Sequence, residues 1–252
     1  MLQKKKSLGQ HFLNNPYYLS LVADTAAIEA GDVVLEIGPG EGPLTEVLLS
    51  RGARVVAIEK DTRLIEPLRE KFEGKDFEVV ETDALEFNTS KLKKYKLVGN
   101  IPYYITGALL KKFFSAKQQP STLVFLIQKE VAQRIARSKK ESILSLSVKA
   151  YGRPTLVKTV PRGAFSPPPN VDSAILLVEH ISRKNFKNAT HEKRFFELVR
   201  AGFAHKRKLL ARNLEPLLGK KHSHILKNVG ISENARAEDV PLEKWLELSL
   251  PN

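Results

Sequence analysis

The chain has 252 residues, of which 42% are hydrophobic, and a formal net charge of +13; this size and composition fit one α/β domain with a small second domain. It has no cysteine, which excludes disulfides and thiolate metal sites, and no apolar stretch approaches the length of a membrane span. The basic residues at its start are not followed by the apolar segment of a signal peptide, so we expect a cytoplasmic protein with no metal ion and no membrane partner.

Apolar runs rich in β-branched residues alternate with helical patterns through the first two thirds of the chain. The runs read as buried parallel strands and cover residues 33–37, 54–59, 77–81, 97–100 and 122–127. Helices are predicted between them, one of them after an N-cap at Asp61. The alternation predicts an α/β fold with a doubly wound, mostly parallel sheet, to which residues 155–160 and 174–178 add two further strands.

The pattern of polar and apolar residues changes after about residue 182. Residues 182–190 are mostly polar, which suits a linker. Apolar residues such as Phe195, Leu198 and Leu210 then recur at helical spacing. The sequence therefore predicts a main domain of residues 1–181 and a small C-terminal α-helical domain of residues 182–252.

A glycine-rich loop follows the first predicted strand. Gly38, Gly40 and Gly42 occupy alternate positions, and a loop without side chains lets a ligand approach the backbone closely. Enzymes that bind a dinucleotide cofactor use a related loop, whose backbone N–H groups bind the pyrophosphate. Pro39 and Pro43 lack that group, so the loop favours S-adenosylmethionine over a dinucleotide.

Acidic residues follow the next two predicted strands. Glu59 ends the second strand, where a carboxylate can accept hydrogen bonds from both hydroxyls of a ribose; an exposed strand-end acid is the alternative. Asp83 follows the third strand, and its alternative role is a helix cap ahead of Leu85. The position of Glu59 fits the ribose of a cofactor.

Three groups that suit a planar base with an exocyclic amine lie within four positions at the end of the fourth strand. The Asn100 side-chain oxygen and the Pro102 carbonyl can accept the two amine hydrogens. The Tyr103 ring can stack on the base, a contact worth roughly 1–3 kcal/mol. The alternative is a strand end followed by a proline turn and a core tyrosine.

Several sequence blocks, and their order along the chain, resemble those of one enzyme family. The blocks are residues 7–13, 36–42, 100–103, 165–174 and 203–208, and the similarity extends from about residue 7 to about residue 215. Together they resemble the small-subunit (16S) rRNA adenine N6,N6-dimethyltransferases of the KsgA/RsmA type, within the rRNA adenine N6-methyltransferases. The resemblance implies a Rossmann-like methyltransferase sheet and a transfer of methyl groups from S-adenosylmethionine. The acceptors would be the N6 amines of two adjacent adenosines near the 3′ end of small-subunit rRNA.

The resemblance also implies roles for individual residues. Asn100, Pro102 and Tyr103 would be catalytic, and Tyr103 and Phe165 would line the target-base pocket; a rigid proline turn is the alternative for the Phe165 segment. Contact with RNA phosphate is the alternative for His11. The residues implied to bind the cofactor are His11, Leu13, Gly38, Gly40, Glu59, Asp83, Ala84 and Asn100.

The positive charge lies in the last two thirds of the chain. Residues 1–86 have a net charge of −6, residues 87–181 of +12 and residues 182–252 of +7. Such a surface attracts a polyanion, with nucleic acid favoured over an anionic membrane. The predicted RNA contacts are Lys4, Lys5, Lys6, Lys111, Lys112, Arg134, Arg137, Lys206, Arg207 and Lys208. The last three are predicted on a helix, and a solvated surface charge is the alternative for each single residue.

The expected partner is therefore small-subunit rRNA in an immature small ribosomal subunit, bound by a monomer during ribosome biogenesis. Large-subunit rRNA adenine methyltransferases of the macrolide-resistance type share the first blocks and are an alternative. A non-catalytic RNA-binding assembly factor is a second alternative. An oxidoreductase is disfavoured by the glycine spacing.

Overall fold

The structure is a computed structural model that describes residues 11–250. The predictions for Lys4, Lys5 and Lys6 lie outside these residues. Strands are numbered in chain order: β1 (Phe12–Leu13), β2 (Val33–Ile37), β3 (Arg54–Glu59), β4 (Phe77–Glu81), β5 (Lys96–Asn100), β6 (Thr122–Gln128), β7 (Arg153–Val160), β8 (Phe165–Ser166) and β9 (Ser173–Glu179).

The helices are numbered in the same way. They are α1 (Pro16–Thr25), α2 (Pro43–Ser50), α3 (Thr62–Lys71), α4 (Thr106–Ser115), α5 (Lys129–Ala136), α6 (Ile143–Lys149), α7 (Ala189–Gly202), α8 (Leu210–Leu218), α9 (His222–Asn228) and α10 (Leu242–Leu248). Asp61 caps α3 as predicted, because its side chain accepts a hydrogen bond from the Arg63 N–H. None of the described helices combines the length and apolar composition that a membrane crossing requires.

A seven-stranded sheet forms the main layer. Its strand order is β4-β3-β2-β5-β6-β9-β7; the first five strands are parallel, and β9 is antiparallel to β6 and β7. The predicted α/β fold with a doubly wound, mostly parallel sheet is confirmed. The chain reverses its direction of progression between β2 and β5, and ligands bind beyond the carboxyl ends of strands at such a switch point.

A second sheet has only two strands. β1 pairs antiparallel with β8, with Phe12 opposite Ser166 and Leu13 opposite Phe165. Leu13 and Phe165 are both buried in the core that α1 and α2 share with the large sheet. This pairing brings the first described residues to the segment that precedes β9.

The described residues fall into two compact units. One lies within Met1–Ala132 and Arg153–Ile181, and the other within Gln133–Gly152 and Ser182–Asn252. The predicted boundary after residue 181 differs by the segment 133–152, which belongs to the helical unit. There the Tyr151 ring stacks on Phe196, and the Asn185 side chain donates a hydrogen bond to the Ala150 carbonyl.

Candidate active site

A cleft opens at the carboxyl ends of β2, β3, β4 and β5, beside the switch point. Its empty volume is about 1010 Å³ with the open mouth included, which is enough for a nucleoside-sized ligand. The residues that line it are His11, Phe12, Ile37, Gly38, Gly40, Ile58, Glu59, Lys60, Thr82, Asp83, Ala84, Asn100, Ile101, Pro102, Tyr103, Tyr104 and Ile105. Most of the residues predicted to bind a cofactor or target base therefore meet in one place.

The glycine loop forms the floor of the cleft between β2 and α2. Gly38 and Gly40 have φ angles of +66° and +61°, in the left-handed region that other residues rarely adopt. A Cβ atom at Gly40 would lie 2.6 Å from the Phe12 ring. Gly42 lies outside the cleft lining and packs against Phe72. The loop thus offers bare backbone to a ligand where the sequence predicted it.

The Glu59 carboxylate is held by the backbone on three sides. One oxygen, Oε1, accepts hydrogen bonds from the N–H groups of Lys60 at 2.9 Å and Asp61 at 2.8 Å. The other, Oε2, accepts one from the Gly40 N–H at 3.3 Å. Glu59 is 7% exposed, and burial raises its pKa above the ordinary value, against the opposing effect of these three donors. The cleft lining therefore includes a carboxylate fixed by backbone donors.

The Asp83 carboxylate is bound differently. Its Oδ1 accepts the Leu85 N–H at 2.8 Å in a turn, where the alternative considered from the sequence was a helix cap, and its Oδ2 accepts from the Lys60 ammonium at 2.7 Å. The Lys60 hydrogen bond, followed by that of Leu85, lowers the pKa of Asp83. Ala84, the next residue, also lines the cleft.

Sequence reasoning missed one acidic residue. Glu36, in the middle of β2, is 1% exposed and accepts a hydrogen bond from the Thr45 hydroxyl at 2.7 Å. Burial, opposed by the Thr45 hydrogen bond and aided by the neighbouring Glu59 carboxylate, raises the pKa of Glu36 to about 7. Glu36 lines a smaller cavity together with Gly38 and Asn100. The available signal was a lone carboxylate inside an otherwise apolar strand, directly before the glycine loop.

The Asn100 and Pro102 acceptors stand at the end of β5. The Asn100 Nδ2 group donates a 2.6 Å hydrogen bond to the main-chain carbonyl of His11. The Pro102 carbonyl accepts the Ile105 N–H at 3.2 Å, and a carbonyl oxygen keeps a second lone pair. Both groups line the cleft, so each still has an acceptor site for a ligand there.

The Tyr103 ring is half-buried at the side of the cleft. Its hydroxyl is hydrogen-bonded to the Ser173 hydroxyl at 2.8 Å, and burial raises the pKa of that phenol. Its ring lies nearly parallel to the His11 ring, with 6.4 Å between centroids and an interplanar angle of 23°. Tyr103 is therefore an oriented aromatic surface and is not part of the apolar core.

Two other predicted positions lie away from the cleft lining. Leu13 is buried and borders the smaller cavity. Phe165, predicted to line the target-base pocket, instead packs in the core with Leu13. The reason is strand alternation, since β8 turns Phe165 inward and the following Ser166 outward.

The basic residues that were predicted to contact RNA, and that the structure describes, differ in their surroundings. Lys111, Arg134 and Arg137 are exposed, whereas the Lys112 ammonium donates a 2.6 Å hydrogen bond to the Leu85 carbonyl. The predicted helix through residues 206–208 is wrong, because α7 ends at Gly202 and α8 begins at Leu210. The Asn213 side chain donates hydrogen bonds to the Gly202 and His205 carbonyls just after α7, and the exposed Lys206, Arg207 and Lys208 lie in this connection.

Comparisons with known proteins agree with this geometry. The family model described as ribosomal RNA adenine dimethylase matches residues 1–250. The protein named ribosomal RNA small subunit methyltransferase A of Dehalococcoides mccartyi strain CBDB1 is 42% identical over 258 residues, which cover 99% of this chain and 88% of that protein. Its namesake in Fusobacterium nucleatum subsp. nucleatum is 40% identical over 255 residues, covering 97% and 96%.

Solved structures are similar over the same extent. A dimethyladenosine transferase from Plasmodium falciparum superposes with a TM-score of 0.82 at 28% identity, covering 94% of this chain and 96% of that one. The 23S rRNA methyltransferase ErmE gives a TM-score of 0.78 at 30% identity, covering 94% and 98%.

Proposed function

Because the chain belongs to the ribosomal RNA adenine dimethylase family, we propose that it transfers methyl groups from S-adenosylmethionine to the N6 amines of two adjacent adenosines near the 3′ end of small-subunit rRNA. Family membership confirms the predicted class of enzyme and its methyl donor. The relatives at 40–42% identity are named for the small subunit, which favours that rRNA. The single observation that carries the proposal is the meeting of Asn100, Pro102 and Tyr103 with Gly40 and Glu59 in one cleft.

The residues of the cleft fit S-adenosylmethionine. Glu59 presents a carboxylate fixed by three backbone donors, which suits a pair of ribose hydroxyls. Asp83 presents an acceptor for an adenine amine, and Gly38 and Gly40 leave room where side chains would fill the cleft. When bound, the donor supplies a methyl group on a sulfonium that is already activated for transfer. The residues proposed for the cofactor are Leu13, Gly38, Gly40, Glu59, Asp83, Ala84 and Asn100.

The target side of the cleft acts on the adenine. The Asn100 oxygen and the Pro102 carbonyl accept the two amine hydrogens, which turns the nitrogen lone pair out of the ring plane and stabilises positive charge as it grows on the nitrogen. Tyr103 stacks on the ring and holds it in line for attack. Positioning of this kind contributes up to roughly 7–11 kcal/mol in favourable cases. The proton leaves to solvent after each transfer, so no general base is assigned.

The target adenine must leave its stack to reach this cleft, at a cost of a few kcal/mol. Contacts with RNA phosphates offset that cost, and we assign them to the exposed Lys111, Arg134, Arg137 and the loop residues 206–208. Lys112 is a weaker candidate because its ammonium already binds the Leu85 carbonyl. The helical unit is accordingly proposed to bind RNA, and the protein to act as a monomer in the cytoplasm on immature small subunits.

The experiment is to incubate the protein with labelled S-adenosylmethionine and unmethylated small subunits, and then to map the modified nucleotides. We expect label on two adjacent adenosines as N6,N6-dimethyladenosine. Asn100→Ala is the matched control: it should lose methyl transfer while RNA affinity stays within about threefold, because one neutral side chain adds little to phosphate binding. Absence of label, or parallel loss of RNA binding and transfer in the variant, would contradict the proposal.

Large-subunit rRNA is the second candidate substrate. The similarity to ErmE, which is named as a 23S rRNA methyltransferase, is the observation that supports large-subunit rRNA as a candidate. The same labelling reaction with large subunits separates the two, since label confined to large-subunit rRNA would replace the first proposal.

A further inference from the structure

His11 contacts three residues from two segments of the chain, the end of β5 with the turn that follows it and the residue after β8. Its main-chain carbonyl accepts the Asn100 side-chain N–H at 2.6 Å. Its ring Nδ1 is 2.8 Å from the Pro167 carbonyl, and the ring lies alongside Tyr103. The two residues proposed to hold the target adenine therefore both touch His11.

The contact with Asn100 fixes which end of the amide faces the ligand. A carboxamide has a donor end and an acceptor end. Because the His11 carbonyl can only accept, it takes the Nδ2 end of Asn100. The Oδ1 end is left for the cleft, where the proposed reaction needs an acceptor. A displaced His11 carbonyl would free the amide to rotate and present its N–H groups to the adenine amine.

The ring contact fixes the place of that carbonyl. The Pro167 carbonyl is an acceptor, so Nδ1 of His11 must carry the proton and donate. β1 and β8 have two residues each, and a two-stranded pairing is only marginally stable by itself. The His11–Pro167 bond extends this pairing by one link on the cleft side and ties residue 11 to the segment before β9.

The same ring limits the movement of Tyr103. The Ser173 hydroxyl holds the phenol end of Tyr103, and the His11 ring lies nearly parallel to its face. Tyr103 is thus held at its hydroxyl and beside its ring, which pre-orients it as a stacking surface for a base.

We infer that His11 is a positioning residue for the target adenine: its Nδ1–H bond to Pro167 holds the carbonyl that aims Asn100 and the ring that steadies Tyr103. The resemblance implied a cofactor contact for this residue, whereas these contacts predict an effect on the chemical step. The inference rests on the proposed function.

The test measures four variants against the wild type on small subunits. His11→Ala removes ring and donor, His11→Phe keeps a ring without the donor, and His11→Asn keeps a donor that can reach the Pro167 carbonyl. His222→Ala is the matched control, because it removes another histidine whose Nδ1 contacts a main-chain carbonyl, that of Gly219, outside the cleft lining. For each variant, kcat is measured at saturating S-adenosylmethionine. The Kd for S-adenosylmethionine is measured by titration calorimetry without RNA, and the melting temperature is recorded.

Misplacement of reacting groups by about 1 Å lowers the rate by about 10- to 100-fold. We therefore expect kcat to fall by that factor in His11→Ala and His11→Phe, while the Kd for S-adenosylmethionine changes by less than about threefold. His11→Asn should recover part of the rate, because it restores the hydrogen bond to Pro167 but not the ring beside Tyr103, and His222→Ala should match the wild type.

Two outcomes would overturn the inference. The first is a tenfold or greater loss of S-adenosylmethionine affinity with kcat retained at saturation, which would make His11 a cofactor contact. The second is a kcat of His11→Phe equal to that of the wild type, which would show that the Pro167 bond does not matter. Should His11→Ala fail to fold, the Phe and Asn pair still decides the question. An inactive wild type would refute the proposed function instead, so the two failures are distinct.

Discussion

Glu59 and Asp83 follow neighbouring parallel strands and face the same cleft, yet their carboxylates are held in opposite ways. Glu59 is 7% exposed and is fixed by three backbone N–H groups. The Asp83 side chain is 26% exposed and is paired with a lysine whose own side chain is 64% exposed. The pKa of Glu59 is raised by burial, and that of Asp83 is lowered by its lysine.

The contrast separates a rigid from an adjustable end of the site. Backbone donors cannot move without unfolding the loop at Gly40 or the start of α3, so the Glu59 end is pre-organised. Lys60 can swing away from Asp83 into solvent at little cost, because exposed ion pairs contribute little to stability. We therefore expect Glu59, which we propose to bind the ribose, to set the affinity, and Asp83, which we propose to bind the adenine, to adjust to the ligand.

The largest expected effect is that of Glu59→Gln. The amide would lose the charge-assisted bonds that we propose to two ribose hydroxyls, worth about 1.5–3 kcal/mol each, so the affinity for S-adenosylmethionine should fall about 150- to 25,000-fold by calorimetry. The Nε2 group of the glutamine is a donor and would face a backbone N–H group, which is also a donor. This repulsion should lower the melting temperature. Wild-type affinity in this variant would remove Glu59 from the site.

Glu36 extends the comparison to complete burial. Its pKa is about 7 in the folded chain against the ordinary 4.5, so the folded state binds more protons than the unfolded state between these values. Stability should therefore fall as the pH rises through this window. Glu36→Gln should be more stable than the wild type by about 3 kcal/mol at pH 8 and by less than about 1 kcal/mol at pH 5.

Urea unfolding at the two pH values checks this prediction. The exposed Glu29→Gln is the control and should show no such difference. A gain for Glu36→Gln that is equal at both pH values would mean that the carboxyl is not the titrating group.

Asp83→Asn should have a smaller effect. The amide can still accept one hydrogen bond, but it turns a donor toward the adenine amine or the lysine, so we expect about a tenfold loss of S-adenosylmethionine affinity. Asp76→Asn, at an exposed acid with a loose partner in Arg54, is the matched control. A loss as large as that of Glu59→Gln would erase the distinction between the two ends.

The smallest effect is expected for Lys60→Met. The side chain keeps its length and loses its charge, so affinity for S-adenosylmethionine should change by less than about threefold at ordinary salt. The difference between variant and wild type should shrink further in 1 M salt, because exposed charges are screened. A large change that persists at high salt would show that Lys60 is a fixed part of the site.

Local patterns in the sequence were sufficient for the strands and for the glycine loop. The strands β2, β3 and β4 are runs rich in β-branched residues and bounded by polar or glycine residues, so their bounds could be predicted closely. The N-cap residue Asp61 likewise predicted the start of α3. The direction of β9 could not be predicted in this way, because it depends on how the chain returns to β6.

Long-range contacts explain the rest of what the sequence did not reveal. Asn100 and His11 are 89 positions apart, and no local pattern links them. Phe165 carries an aromatic side chain beside prolines, yet its place in the core depends on pairing with Leu13. The segment 133–152 lies between strands of the main sheet in sequence but packs with the helical unit.

The tie between His11 and Pro167 has a consequence for the newly made protein. Domains fold as units while the ribosome extends the chain. When the polypeptide has emerged as far as β7, every strand that flanks the glycine loop exists, but Pro167 and Ser173 are still inside the ribosome. The glycine loop and the strands beside it are therefore synthesised first, and the contacts of His11 with Pro167 and of Tyr103 with Ser173 can form only after β8 and β9 have emerged.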